Sequence, residues 1–521
     1  MQLRRLLLTG TSLALLAVAV PAQDCSNPQP GPDVIVGSLP SITNYGGTGG
    51  IGGYSLGTTS CNVGTTTLKW VAGTVEHPVI GQNFYRLENG RFEQIGMSWL
   101  KHGFTALQGN VCCNCTPHPN GTALGVGCSD PYSSSLNGSQ GGLGPRFQVN
   151  AYTGAFSYPF FAQGQGGNQI YKRAQIAGTD LDPSLHPTAL YFGEGHYIAA
   201  DDAAAGNGAN NASYRPVQVG SFTSGSWNLS TTGTTMRTRP ALRAWSDTDP
   251  DVKFVIGRIP DEGTFFAASD VTDNGDGTWH YEYAIQNLSS DISIGSFGVP
   301  LPAGAVVSNI GFKDIEYHSG EPWDGTDWVS QQVGGELVWS TAETFAQNAN
   351  ANALRWGTLY NFWFDADVAP GVAHTNVDFF KPHSTPGMTV KLDVPLGDGT
   401  WEDLGGGSNG VTGQPVLTMT GPLTPGSSVT LSMVNGAPGA LAVALLSSTS
   451  TPTPLLGGVI HPFPWSAAIF QTTSGAGGLG GSVTFSGAPA GTELFFQVAV
   501  EDNSVPIHSV ALSNGVKGTV P

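Results

Sequence analysis

The chain has 521 residues, with 20 Lys and Arg against 38 Asp and Glu and a formal net charge of −18. That sign repels phosphate backbones and anionic lipid, which sets nucleic acid and membrane surfaces aside as partners. Only 11% of the residues are charged, against roughly 25% in an average domain, and 73 are glycine, a composition that excludes a helical protein and points to turn-rich β-structure.

Residues 1–22 run from Arg4 and Arg5 through an apolar stretch to Val20-Pro21-Ala22, small residues at the positions a signal peptidase reads. This predicts a secretory signal peptide, too short for a membrane anchor. Arg4-Arg5 ahead of three leucines also sketches a twin-arginine signal, so the export route stays open. No later apolar run is long enough to span a bilayer, and Cys25 has no lipoprotein cleavage site before it. The expectation is a secreted extracellular or cell-surface protein with no membrane span.

From 23 to 240 the chain reads as a glycine-rich β domain, with strands at 82–87 and 91–99 joined by an Asn89-Gly90 turn. It holds all six cysteines: Cys25, Cys61, Cys112, Cys113, Cys115 and Cys128. The cluster at 111–128, with His118 inside it, has the wrong spacing for a zinc knuckle. An even count in an exported chain predicts disulfides. Adjacent Cys112 and Cys113 project in opposite directions on an extended backbone and so bridge different partners, but the pairing is not fixed. His77, His102, His118 and His196 contain no His-x-His pair to pre-arrange a metal, and none is expected.

Two segments carry residue types suited to polysaccharide chemistry. In 191–215, Glu194, His196, Asp201 and Asp202 offer an acid–base pair, while Tyr214 and Arg215 match the equipment of a lyase, a tyrosine to move a proton and an arginine to neutralise a uronate. In 314–328, a strand over 314–318 would line up Asp314, Glu316 and His318 on one face. The following loop adds Glu321, Trp323, Asp324, Asp327 and Trp328 as ligand-binding residues. Acids that bind hydroxyls and indoles that stack on sugar faces suit a glycan. The same oxygens suit calcium, although no cofactor is required. The plain alternative for both segments is a solvated loop with aromatics in the core.

Residues 241–404 read as a β-sandwich, with strands at 252–259, 306–318, 336–340, 354–364 and 388–394 and one short helix near 341–347. In 278–287 the alternation of Trp279, Tyr281, Tyr283 and Ile285 with His280, Glu282, Ala284 and Gln286 predicts a half-buried strand after an Asn-Gly and Asp-Gly turn. Asp247-x-Asp-x-Asp251 fails the calcium-loop template, because Val252 stands where glycine is needed. A linker follows at 405–413. Residues 414–521 read as a small C-terminal β-sandwich with strands at 428–433, 441–446, 481–486 and 493–500.

The closing pattern LFFQVAVED (494–502) with ALSNGV (511–516), together with GRFEQIGMSWLKHG (90–103) and NALRWGTLYN (352–361), resembles segments of large exported β-rich proteins of planctomycete-type bacteria. That resemblance implies location and fold class and brings no activity with it. The whole points to an all-β, multidomain protein with a disulfide-stapled N-terminal domain. Its expected role is non-catalytic: binding polysaccharide or matrix, or building structure. The alternative is a secreted polysaccharide lyase or hydrolase.

Overall fold

A computed structural model describes residues 25, 27–302, 304–396, 401–423, 425–489, 492–505 and 509–520. The signal segment 1–22 lies outside the described residues. The protein is all-β, with three α-helices of four to six residues among the described residues.

In the N-terminal unit a ten-stranded sheet runs from Ser226–Thr231 through Ala212–Thr223, Leu190–Ile198, Val79–Glu88 and Arg91–Met97 to Ile42–Thr48. Its two edges curl together, with Gly47 N donating to Ser224 O at 2.9 Å and Tyr54 Oη donating to Trp227 O at 2.7 Å. The enclosed core includes Tyr54, Trp70, Phe84 and Ile176 and is shared with a three-stranded sheet of Val34–Ser38, Thr58–Asn62 and Ser129–Tyr132. Disulfides join Cys25 to Cys113, Cys61 to Cys112 and Cys115 to Cys128. Neighbouring Cys112 and Cys113 thus hold different partners, although the chain bends at 111–113 and is not the extended segment that was expected. Gly37 is needed beside them, because a Cβ there would overlap the sulfurs of both Cys61 and Cys112.

The middle unit is a sandwich of two five-stranded antiparallel sheets. Tyr281, Tyr283, Phe297, Trp339, Phe362 and Phe364 fill the space between them. Strand Trp279–Asn287 was expected to be half-buried, yet Glu282 and Gln286 are 3% and 1% exposed. The reason is that the N-terminal unit covers this second face. Ala284 joins Tyr85, Phe92, Phe192, Trp245 and Phe266 in a core between the two units, and Arg91 clamps Glu282 through Nε at 2.9 Å and Nη2 at 2.7 Å.

Three further expectations are corrected. The strand anticipated over 306–318 is Val307–Lys313, so Asp314 to His318 lie in a loop and do not share a strand face. Residues 341–347 form turns, while helix instead appears at Ser134–Asn137, Ala200–Ala204 and Arg243–Thr248. The glycine run at 405–413 is bound along its length, with Ser408 N donating to Leu512 O, Gly406 O accepting from Val459 N and Val411 N donating to Asp502 Oδ2. Trp401–Gly405 already pairs with Gly515–Thr519, so the C-terminal sandwich begins at Trp401 and its core gathers Trp401, Met419, Met433, Val498 and Val500.

Candidate functional site

Glu194 and His196 project from one face of Leu190–Ile198, two residues apart, towards the junction with the sandwich. Glu194 is 1% exposed. Oε1 accepts from Asn83 Nδ2 and Tyr85 Oη at 3.0 Å each, and Oε2 accepts from Ala241 N at 2.6 Å and Gln286 Nε2 at 2.8 Å. The four donors come from the N-terminal sheet, the connection after it and the sandwich. A carboxylate so saturated is a keystone between units.

Arg146, fully buried, runs beside this network. Its guanidinium donates to Ser98 O, Gly357 O, Gln82 O and Asn83 Oδ1. Burial lowers His196 to about 3, with the nearby Arg146 charge adding to the effect. The imidazole is therefore neutral at physiological pH and does not supply a proton there.

Tyr214 and Arg215 follow each other on Ala212–Thr223 and so face opposite sides. Tyr214 donates to Asp247 Oδ2 at 2.6 Å, and burial followed by that carboxylate raises its pKa. The Arg215 guanidinium donates to Thr232 O, Leu39 O and Gly233 O. The structure does not bring this pair to one cleft. Asp202 is fully buried, accepts from Val34 N and Asn211 Nδ2 at 2.8 Å each and is pushed up to about 7 by burial; Asp201 Oδ2 accepts from Lys69 N at 2.8 Å.

In the loop at 314–328 the candidates separate. Asp314 bonds Asn352 Nδ2, and burial lifts it to about 6. Asn352 continues to Tyr360 Oη at 2.6 Å, which meets Tyr317 Oη at 2.9 Å. Trp328 is 4% exposed and stacks on Phe312 at 5.6 Å, inside the sandwich. Trp323 is half-buried against Tyr317 and beneath Arg355. Glu316 and Asp327 are exposed, and Asp324 is half-buried with Oδ1 accepting from Thr326 N. Glu321 crosses to the N-terminal unit, where it accepts the Arg146 N–H at 2.8 Å and the Phe147 N–H at 3.3 Å; burial raises it to about 7. The void touching His318 and Glu321 measures about 10 Å³, room for one water at most. Burial also lowers His318.

Among the described residues no three His, Cys, Asp or Glu side chains are placed to hold a metal. His77 Nε2 and His102 Nδ1 do meet, at 2.9 Å, but His118 lies apart and contacts Asn120 O. A groove of about 580 Å³ is lined by Pro183, Pro187, Leu190, Tyr191 and Pro216, and none of the acid–base candidates lines it. Sequence reasoning missed a second, polar cleft of about 270 Å³ between the sandwich and the C-terminal module. One wall alternates like any solvated strand face, the other is made of turns, and neither carries a motif.

No protein-family model and no curated protein matches the chain. Among solved structures it is similar to a C-terminal fragment of the major pilin of Streptococcus agalactiae, at 9% identity over 51% of this chain and 90% of the fragment, with a TM-score of 0.13. It is also similar to a tetra-tandem repeat from the extending region of a large adhesion protein, at 8% identity over 94% of this chain and 74% of that one, with a TM-score of 0.14. At such TM-scores the likeness carries no inference about this chain. No helix among the described residues is long and apolar enough to cross a membrane.

Proposed function

We propose that this chain is an exported, non-catalytic extracellular or cell-surface protein that binds glycan or matrix, or builds them into a structure. The observation that carries the reading is Glu194. The best-placed acid of the sequence is held by four donors at the junction of two units, and it lines neither the groove of about 580 Å³ nor the cleft of about 270 Å³. Glu321, Arg215 and Asp202 are likewise bound to backbone groups. Export rests on residues 1–22, and three disulfides suit an oxidising compartment.

The deciding experiment is incubation of the mature protein with soluble neutral and uronate-containing polysaccharides. Retention without depolymerisation is the expected result. New reducing ends, or unsaturated products absorbing in the ultraviolet, would establish the hydrolase or lyase alternative instead.

A further inference from the structure

The polar cleft between the sandwich and the C-terminal module is assembled by alternation on one side and by turns on the other. On strand Pro370–Phe379, Thr375 and Val377 are buried in the sandwich, so Asn376 and Asp378 face outward. Thr389 pairs with Asn376 on the neighbouring strand Gly387–Pro395 and points the same way. The C-terminal module brings Asn409, Gln414 and Asn435 to the opposite wall. Asp403 of that module holds the wall in place, lying 2.9 Å from His374 and 3.5 Å from Lys391 of the sandwich. Its approach to His374 is a close contact outside hydrogen-bond geometry.

This cleft differs from the buried acid clusters in one respect. Among the described residues the side chains of Thr389, Asn409, Gln414 and Asn435 make no hydrogen bond to the rest of the chain. Glu194 and Arg215 are saturated by their own protein; these groups are open to a ligand. Amides donate and accept from one planar end, which matches adjacent hydroxyls that themselves do both. Asp378 adds an acceptor, while Phe379 and Met388, which alternate with these residues, pack against the sandwich core beneath the cleft.

Charge narrows the class. Glu336 binds Asn376 and sits close enough to Asp378 for their charges to interact, so this wall is acidic, and Arg258 at one end is the only base lining the cleft among the described residues. Within a chain of net charge −18, an anionic polymer is repelled. The volume of about 270 Å³ lies just below the roughly 300–1,000 Å³ of sites that enclose a drug-sized ligand, which suits a short segment of a longer chain.

We propose that this cleft binds a neutral glycan, with Asn376, Asp378, Thr389, Asn409, Gln414 and Asn435 gripping its hydroxyls. The proposal rests on the glycan-binding reading above and gives it a location. The test is affinity electrophoresis of the full mature protein through gels containing a galactomannan, an arabinoxylan, a mixed-linkage β-glucan, a pectin or an alginate. Wild type, the double variant Asn409→Ala/Gln414→Ala and the cleft-filling Thr389→Trp are compared, with thermal melts as the folding control.

The expected result is retardation by at least one neutral polymer and by neither anionic one, with affinity falling at least tenfold in both variants while the melts stay unchanged. Retardation by a neutral polymer that survives both substitutions would overturn the cleft and leave glycan binding standing elsewhere on the molecule. Retardation by the anionic polymers alone would overturn the ligand class. No retardation by any polymer would remove the glycan reading itself, and the cleft with it.

Discussion

Glu321 accepts the backbone N–H of Arg146 at 2.8 Å across the junction of the first two units. The acidic loop therefore closes on protein at this end and not on solvent. Glu321→Ala leaves two N–H groups without an acceptor and is expected to cost about 2–6 kcal/mol, at roughly 1–3 kcal/mol for each orphaned donor. Urea unfolding measures it.

The same residue has a pH signature. Burial raises Glu321 to about 7, whereas an unfolded Glu releases its proton near about pH 4.3. The native state thus binds the extra proton. Its contribution to stability is complete below about pH 4.3 and is lost as pH rises towards 7. Glu321→Gln cannot ionise, so its stability relative to wild type should climb between pH 4.5 and pH 8. A flat difference in urea midpoints across that range would mean the carboxylate ionises freely in the native state.

His77 and His102 behave in the opposite sense. Burial lowers both, His102 to about 2, and an unfolded histidine takes its proton near about pH 6.5. The unfolded chain gains protons that the native pair refuses, so this contribution is present above about pH 6.5 and is lost as pH falls. His102→Gln should flatten the loss between pH 6.5 and pH 4.5 by up to about 1.4 kcal/mol per pH unit for the proton removed. The check is a series of urea titrations on wild type and variant.

The disulfides should contribute in order of the loops they close. Removing Cys115–Cys128, with a separation of 13 residues, is expected to cost about 3 kcal/mol, and removing Cys61–Cys112, with a separation of 51, about 4 kcal/mol. Paired Cys→Ser variants compared by denaturant midpoint test the order. Peptide mapping of the unreduced protein tests the pairing, and a peptide carrying Cys112 bridged to Cys25 would contradict it.

Trp328 separates a packing role from a sugar-stacking one. Its indole lies on Phe312 and against Tyr360 and Phe362, so Trp328→Ala should cost about 3–5 kcal/mol of stability. Polysaccharide retention per folded molecule should stay unchanged. A variant of full stability with lost retention would place the indole at a ligand instead.

The amino-acid sequence by itself determined the β class and several strand limits such as Glu336–Ser340. These follow from local geometry: alternation and turn residues. Strand Trp279–Asn287 shows where that reach ends. Its polar face, with Glu282 and Gln286, has the same pattern whether water covers it or another unit does, and only the tertiary structure placed Arg91 and Glu194 against it. The acidic loop illustrates the same limit, since composition shows carboxylates and indoles but not that Glu321 bonds the Arg146 backbone or that Trp328 lies in the core. The pairing of six cysteines and the cleft at Asn376, Asn409 and Asn435 also belong to the tertiary structure. Both depend on segments far apart in the chain meeting in space, which no local spacing encodes.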